Sequence, residues 1–175
     1  MSIRQAYVDQ GVHPYYQQHG AAYRNPHEAQ VAAALTAALK LWQPDMAQVL
    51  DLACGSGEAT LVLRELGVQH ITGCDPYTGA AYLARTGWIA RPDSFEDIAT
   101  GSLSDQQFSL IVCSYALHLV VASWLPGVAV ALAQLAPALL ILTPHKRPLL
   151  KPEWGWHLQA ELYLQRVRAR YYVSG

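Results

Sequence analysis

Residues 49–58, Val-Leu-Asp-Leu-Ala-Cys-Gly-Ser-Gly-Glu, constrain the fold more than any other stretch of this chain. An apolar run enters a turn of small residues and leaves it as a helix. Gly55 and Gly57 let the backbone bend sharply and present bare N–H groups to a ligand. A second apolar run ends in Gly73-Cys74-Asp75-Pro76, with Asp75 lying 24 residues after Asp51. A carboxylate at that strand end can accept both hydroxyls of a ribose.

The rest of the chain repeats the alternation of apolar run and helical stretch. Asn25-Pro26-His27-Glu28 reads as a helix start, with Asn as N-cap and Pro at the first position, opening an Ala/Leu-rich helix over 26–42. Strands are expected over 49–54, 70–74, 88–90, 108–113 and 138–142, and helices over 58–66, 79–85 and 123–135. Continuous apolar strands separated by helices indicate a parallel sheet covered on both faces. Residues 161–173 alternate in part, which makes an extended strand with Arg166, Arg168 and Arg170 on one face, placed at the sheet edge. The expected fold is therefore α/β: a doubly wound Rossmann-like sheet of five parallel strands with an antiparallel C-terminal edge strand. A single domain is expected over 1–175, with residues 1–24, rich in Tyr and His, as an N-terminal arm or lid and 146–175 as a short C-terminal segment.

Charge bears on partners. The net charge is −1, which argues against a dedicated nucleic-acid binder. It is unevenly spread: residues 1–145 hold six basic and eleven acidic residues, and residues 146–175 hold six basic and two acidic. An anionic partner would meet the C-terminal segment. Cys54, Cys74 and Cys113 are odd in number and lie in apolar runs without a metal-type cluster, so reduced thiols, a cytoplasmic location and no metal are expected. The start MSIRQAYVDQ lacks the apolar stretch of a signal peptide, and the apolar stretches 110–125 and 129–143 are broken by His118, Pro126 and Pro137, so no membrane span is expected.

Two cofactor classes use a glycine loop followed by an acid after the second strand. A dinucleotide site wants a third small residue at position 60 and a pyrophosphate at the helix N-terminus. Here position 60 is Thr, and Asp51 and Glu58 set two carboxylates at that place. They would repel a pyrophosphate but suit a ligand carrying an ammonium and a sulfonium, such as S-adenosylmethionine.

In these residues the chain resembles the class I S-adenosylmethionine-dependent methyltransferases. VLDLACGSG is similar to their first motif, with Ala53 in place of the commoner Gly, and Gly73–Pro76 to the ribose motif. Ser94-Phe95-Glu96-Asp97-Ile98 is similar to the adenine motif, with Ser94 for the usual Asp and Asp93 before it. Residues 108–118, FSLIVCSYALH, resemble the fourth motif of quinone-biosynthesis-type members. The resemblance covers roughly 47–145. It implies that Asp51, Ala53, Gly55 and Gly57 surround the methionine end, and that Asp75 takes the ribose with Pro76 packing on the adenine. It further implies that Ser94 or Asp93, with Phe95, meets the adenine edge and that Cys113 offers a carbonyl. YRNPH, PHKRP and WGW resemble an uncharacterised branch of small methyltransferase-like proteins.

Methyl transfer is an in-line displacement, so positioning and electrostatics dominate, and a general base is needed only for a protonated nucleophile. The reacting face lies at the carboxyl ends of the strands. His118, a few residues past the 108–113 strand, and His145, past the 138–142 strand and followed by Lys146, are the candidate bases. Tyr115 is a candidate for cofactor or substrate packing. Tyr16, with Tyr15, Tyr23, Arg24 and His27, is a candidate contact from a lid. Trp154 and Trp156 either stack on a planar substrate or anchor their loop, and the arginine row either reads an acidic group or guards an edge. The Asn/Asp-Pro-Pro-Tyr/Phe sequence of amino-directed DNA methyltransferases is absent, and Ser114–Leu117 offers no amide for an exocyclic nitrogen.

The expected function is methyl transfer from S-adenosylmethionine, giving S-adenosylhomocysteine, to a small-molecule acceptor, with a shared homodimeric site as an option. The rivals are an RNA or protein methyltransferase using the basic tail and the Trp pair, and a non-catalytic S-adenosylmethionine-binding partner protein. Glu58 and Thr60 argue against a nicotinamide enzyme.

Overall fold

The computed structural model describes residues 11–175. Its elements are α1 (Val12–His19), α2 (Glu28–Trp42), β1 (Val49–Leu52), α3 (Glu58–Glu65), β2 (Ile71–Cys74), α4 (Gly79–Thr86), α5 (Phe95–Ala99), β3 (Leu110–Ser114), α6 (Leu125–Leu135), β4 (Ala138–Thr143), β5 (Trp156–Leu164) and β6 (Val167–Ser174). One sheet runs β2-β1-β3-β4-β6-β5. The first four strands are parallel, β6 is antiparallel to β4, and β5 is antiparallel to β6.

Side-chain alternation sorts the strands between two layers. Leu110 and Val112 of β3, with Leu140 and Leu142 of β4, face the small and branched residues of α2 and α3 (Ala34, Leu35, Ala38, Ala59, Leu63). Ile111 and Cys113, with Leu139 and Ile141, face the other way, toward Val128, Ala129 and Leu132 of α6 and toward Trp156 and Tyr172. Both faces are dry, which fixes the register, because a one-residue slip would exchange the two sets.

Three expectations need correction. Residues 88–90 form no strand. Gly87 ends α4 in the left-handed conformation, and only Arg91 then bridges to Cys74, so the sheet has four parallel strands rather than five. Ile89, at 85 % exposure, has no layer to pack against. The single edge strand expected over 161–173 is instead a hairpin of β5 and β6. Gln165 and Arg166, at φ 49° and 67°, make its turn, and β6 lies inside the sheet with β5 outermost. Arg166 therefore leaves the arginine row for the turn. Finally, α2 starts at Glu28: Asn25 Oδ1 accepts the His27 N–H at 2.9 Å, so Asn25 closes a turn ahead of the helix rather than capping it.

Candidate active site

The carboxyl ends of β1, β2 and β3 meet a cleft of about 680 Å³, open to solvent. The loop after β1 takes left-handed φ at Ala53 (54°), Gly55 (55°) and Gly57 (94°). Ala53 holds a conformation that an L residue seldom adopts. Gly55 and Ala53 line the cleft. Gly57 does not: it precedes α3, and a Cβ there would lie 2.5 Å from Thr86 Cγ2. Its role in this geometry is close packing of the loop on α4.

Asp75 ties two loops together. Its Oδ2 accepts the Gly55 N–H at 3.2 Å, and its Oδ1 accepts those of Tyr77 and Thr78 at 2.8 and 3.0 Å. Asp75, Pro76, Ser94 and Phe95 all line the cleft. Ser94 and Asp97 also form a capping box at the start of α5, each side chain accepting the other's backbone N–H. Asp97 is held below the usual carboxylate range by the backbone and hydroxyl bonds from Ser94. The Cys113 side chain is fully buried in β3 and faces the α6 layer, while the next residues, Ser114, Tyr115 and Ala116, line the cleft.

A smaller hollow of about 250 Å³ adjoins the cleft and shares Tyr23, Ala53, Gly55 and Ser114 with it. Asp51 and Glu58, both buried, line it. Thr60 Oγ1 donates to Asp51 Oδ2 at 2.6 Å, while Tyr82 Oη lies 3.0 Å from the same hydroxyl. Burial pushes Asp51 up to about 8, the Thr60 hydroxyl opposes that rise, and Glu58 and Asp75 add to it. Glu58 Oε1 accepts Ser56 Oγ at 2.8 Å and the Asn25 N–H at 3.2 Å, with Arg85 Nη1 3.9 Å away. The site is thus acidic at one end and apolar at the other, where Pro76, Tyr77, Phe95, Leu119 and Val120 gather.

The segment 11–24 closes one side. Tyr16 lines the cleft and stacks on Tyr77 with ring centroids 6.0 Å apart and planes at 12°. His13 Nδ1 hydrogen-bonds the Tyr77 hydroxyl, and Gly20 sits so close to Tyr77 that a Cβ there would fall 2.2 Å from its carbonyl oxygen. Tyr23 packs on Gly55. Tyr77 is the anchor that sequence reasoning missed; its place directly after Pro76 was the available signal.

His118 and His145 are brought together, with ring centroids 4.6 Å apart at 61°. Neither lines the cleft, although Leu119 and Val120, adjacent to His118, do. His118 Nδ1 is buried without a hydrogen-bond partner among the described residues. Burial, with the neighbouring His145, pushes His118 down to about 4. Trp156 is fully buried and donates its Nε1–H to the Ala129 carbonyl at 2.8 Å, so it anchors rather than stacks. Trp154 packs against the α6 core, with Lys151 above its ring. Arg170 is buried on β6, and both it and Arg168 bind Glu161. Cys54, Cys74 and Cys113 are free and buried, and burial raises each thiol, Cys74 and Cys113 to about 12. Among the described residues no cluster of three or more metal-ligating side chains occurs, and no helix is long and apolar enough to cross a membrane.

A methyltransferase domain family matches residues 23–172. An uncharacterized protein of Schizosaccharomyces pombe is 32% identical, the match covering 99% of this chain and 92% of that protein. Among solved structures, the magnesium protoporphyrin IX methyltransferase of Synechocystis with bound SAM aligns with a TM-score of 0.62 at 16% identity, covering 99% of this chain and 96% of that one. A TehB-like SAM-dependent methyltransferase of Corynebacterium glutamicum gives 0.61 at 14%, covering 98% and 97%. The PH0226 protein of Pyrococcus horikoshii gives 0.67 at 13%, covering 99% and 100%.

Proposed function

The chain belongs to the class I S-adenosylmethionine-dependent methyltransferases, and from that premise we propose that it methylates a small-molecule acceptor presented at the carboxyl ends of β3 and β4. The observation that carries the reading is the polarity of the cleft: buried Asp51 and Glu58 in the hollow at one end, apolar side chains at the other. That donor set fits the cosubstrate, whose ammonium is offset by carboxylates and whose adenine fills apolar space. Asp51, Ala53 and Gly55 would hold the methionine end, with Gly57 shaping their loop. Asp75 and Pro76 would take the ribose and adenine, and Ser94, Phe95 and the Ser114–Ala116 rim the adenine edge.

When bound, the cosubstrate supplies a methyl group on a positively charged sulfur, which keeps the bond's electron pair as S-adenosylhomocysteine forms. The chain's own contribution is to orient, to exclude water and to take a proton. Tyr16 and Tyr77 cover the cleft, and residues 11–24 act as the lid of a single domain; residues 1–10 of the expected arm lie outside the described residues. Where the acceptor arrives as O–H or N–H, its lone pair forms the new bond to carbon and its proton passes to the His118–His145 pair. Internal use of Trp156 and Arg170 favours a small acceptor over RNA, because neither side chain is available to a polynucleotide. Free buried cysteines support a cytoplasmic location.

Calorimetric titration with S-adenosylhomocysteine, with NADH as control, tests the site on the wild type and Asp75→Ala. Micromolar binding, weakened in the variant, supports it. A well-folded wild type that binds no S-adenosylhomocysteine overturns it.

A further inference from the structure

The loop that leaves β4 is held from below by a buried cation. Arg170, 2 % exposed, donates Nη2 to the Lys146 carbonyl at 2.9 Å, Nη1 to the Pro148 carbonyl at 3.2 Å and Nε to Glu161 Oε2 at 2.6 Å. The His145 N–H donates to Thr143 Oγ1 at 3.1 Å, and the Leu150 N–H to the Tyr172 hydroxyl at 3.4 Å. A buried guanidinium is costly unless its donors are satisfied. Here they are satisfied by Glu161 and by two carbonyls of the loop itself, so this loop is fixed although its side chains His145, Lys146 and Arg147 are all exposed. Neither Lys146 nor Arg147 has an ion-pair partner among the described residues.

The sheet places the loop that carries these cations, although neither side chain lines the cleft. Acidic Asp51 belongs to β1, and β4 stands two strand spacings away, roughly 10 Å, across β3. His145 touches His118, whose neighbours Leu119 and Val120 line the cleft. One edge of the sheet therefore carries carboxylates at β1 and β2, then apolar side chains and the histidine pair after β3, then two unpaired cations after β4.

We infer that the methyl acceptor is a small organic oxyanion, a carboxylate or phosphate monoester, whose anionic group is held by Lys146 and Arg147 while its nucleophilic atom points toward the cosubstrate. The inference rests on the small-acceptor reading above and names its substrate class. Lys146 and Arg147 act as specificity determinants, and Arg170 is the positioning residue beneath them. Two cations on one loop, in a chain of net charge −1, suit a single anionic group rather than a polynucleotide backbone.

The test supplies S-adenosylmethionine labelled in its methyl group to the full chain, together with a cell extract separated into small-molecule and RNA fractions. Labelled products are identified by mass spectrometry. A labelled carboxylate or phosphate is expected, along with a rise in its KM of roughly tenfold or more in Lys146→Gln/Arg147→Gln at nearly constant kcat, since each lost contact is a charge-assisted hydrogen bond. Binding of S-adenosylhomocysteine by that variant should match the wild type, which separates acceptor recognition from misfolding. A neutral or cationic labelled product, or an anionic one made equally well by the variant, overturns the inference and leaves the small-acceptor reading standing. Label in the RNA fraction alone, or no labelled product at all, overturns both. Carboxylate and phosphate acceptors are told apart by the product's mass and by its sensitivity to phosphatase.

Discussion

The hydroxyl of Thr60 donates to Asp51 Oδ2 at 2.6 Å, inside a hollow where Asp51 is 1 % exposed. Glu58 and Asp75 supply the nearby negative charge, Cys54, Cys113 and the Tyr82 phenol are the other titratable neighbours, and burial sets the carboxyl near 8 from an ordinary 3.8. A ligand ammonium favours the carboxylate, so S-adenosylhomocysteine binding near neutral pH should expel a proton. Calorimetry in buffers of different ionisation enthalpy reads that proton directly, and affinity should climb between about pH 6 and 7.5, while the ligand's own amino group remains protonated. Asp51→Asn should abolish the release; a release that persists in the variant assigns the proton elsewhere. The free protein should show the opposite trend. A folded pKa above the unfolded one contributes stability that is full below about pH 4 and lost as pH rises through about 8.

Thr60→Val removes the donor while keeping the volume. Asp51 should then rise further, so that S-adenosylhomocysteine affinity falls at neutral pH and recovers in part as the pH is raised. Thr60→Ser should restore the wild-type profile. A purely structural role for Thr60 would lower affinity equally at every pH, so the shape of the profile decides.

Gly20 and Gly57 are close-approach glycines with different consequences. A Cβ at Gly20 meets the Tyr77 carbonyl at 2.2 Å, which would undock the segment carrying Tyr16 and Tyr23. Gly20→Ala should weaken S-adenosylhomocysteine binding by about tenfold, the equivalent of one or two lost aromatic contacts. The melting temperature should barely move, because both core clusters lie elsewhere. Gly57→Ala adds a Cβ 2.5 Å from Thr86 Cγ2 at φ 94°, and should cost about 1–3 kcal/mol of stability, measured by urea unfolding. Equal effects of the two substitutions on stability would refute this division.

The parallel half of the sheet was legible because each strand there is a short apolar run ended by a turn signal, as in residues 49–58. The hairpin was not. Its turn is Gln165-Arg166, both left-handed, and neither residue belongs to the Asn, Asp and Gly set that marks such turns. Residues 88–90 failed for the converse reason: Trp88 and Ile89 look like strand residues, but Trp88 lies under the Arg64 guanidinium at 3.5 Å and Ile89 faces solvent. Asp51, Gly55, Asp75 and Phe95 could be found because strand ends and turns fix their positions. At the end of β3 the cleft lining begins at Ser114, one residue past Cys113, because alternation turns the Cys113 side chain into the α6 layer. Contacts between distant segments, such as Gly20 on Tyr77 or Arg170 under Lys146, carry no local pattern at all.

His118 offers a test of the histidine pair that needs no acceptor. Burial and the neighbouring His145 lower its pKa from 6.5 to about 4 in the folded chain, and its Nδ1 has no partner among the described residues. Between those two values the unfolded chain binds a proton that the folded chain refuses. Stability should therefore fall as pH drops from about 6.5 toward 4, and His118→Gln should flatten that part of the curve. His145→Ala removes one of the two causes, so the His118 pKa, followed by NMR of the ring protons, should move back toward 6.5. Urea unfolding at several pH values distinguishes this from a general acid effect, because the carboxylates are unchanged in the variant. If His118→Gln leaves the slope between pH 6.5 and 4 as steep as in the wild type, His118 titrates alike in the folded and unfolded chain, and burial beside His145 does not hold it neutral in that range.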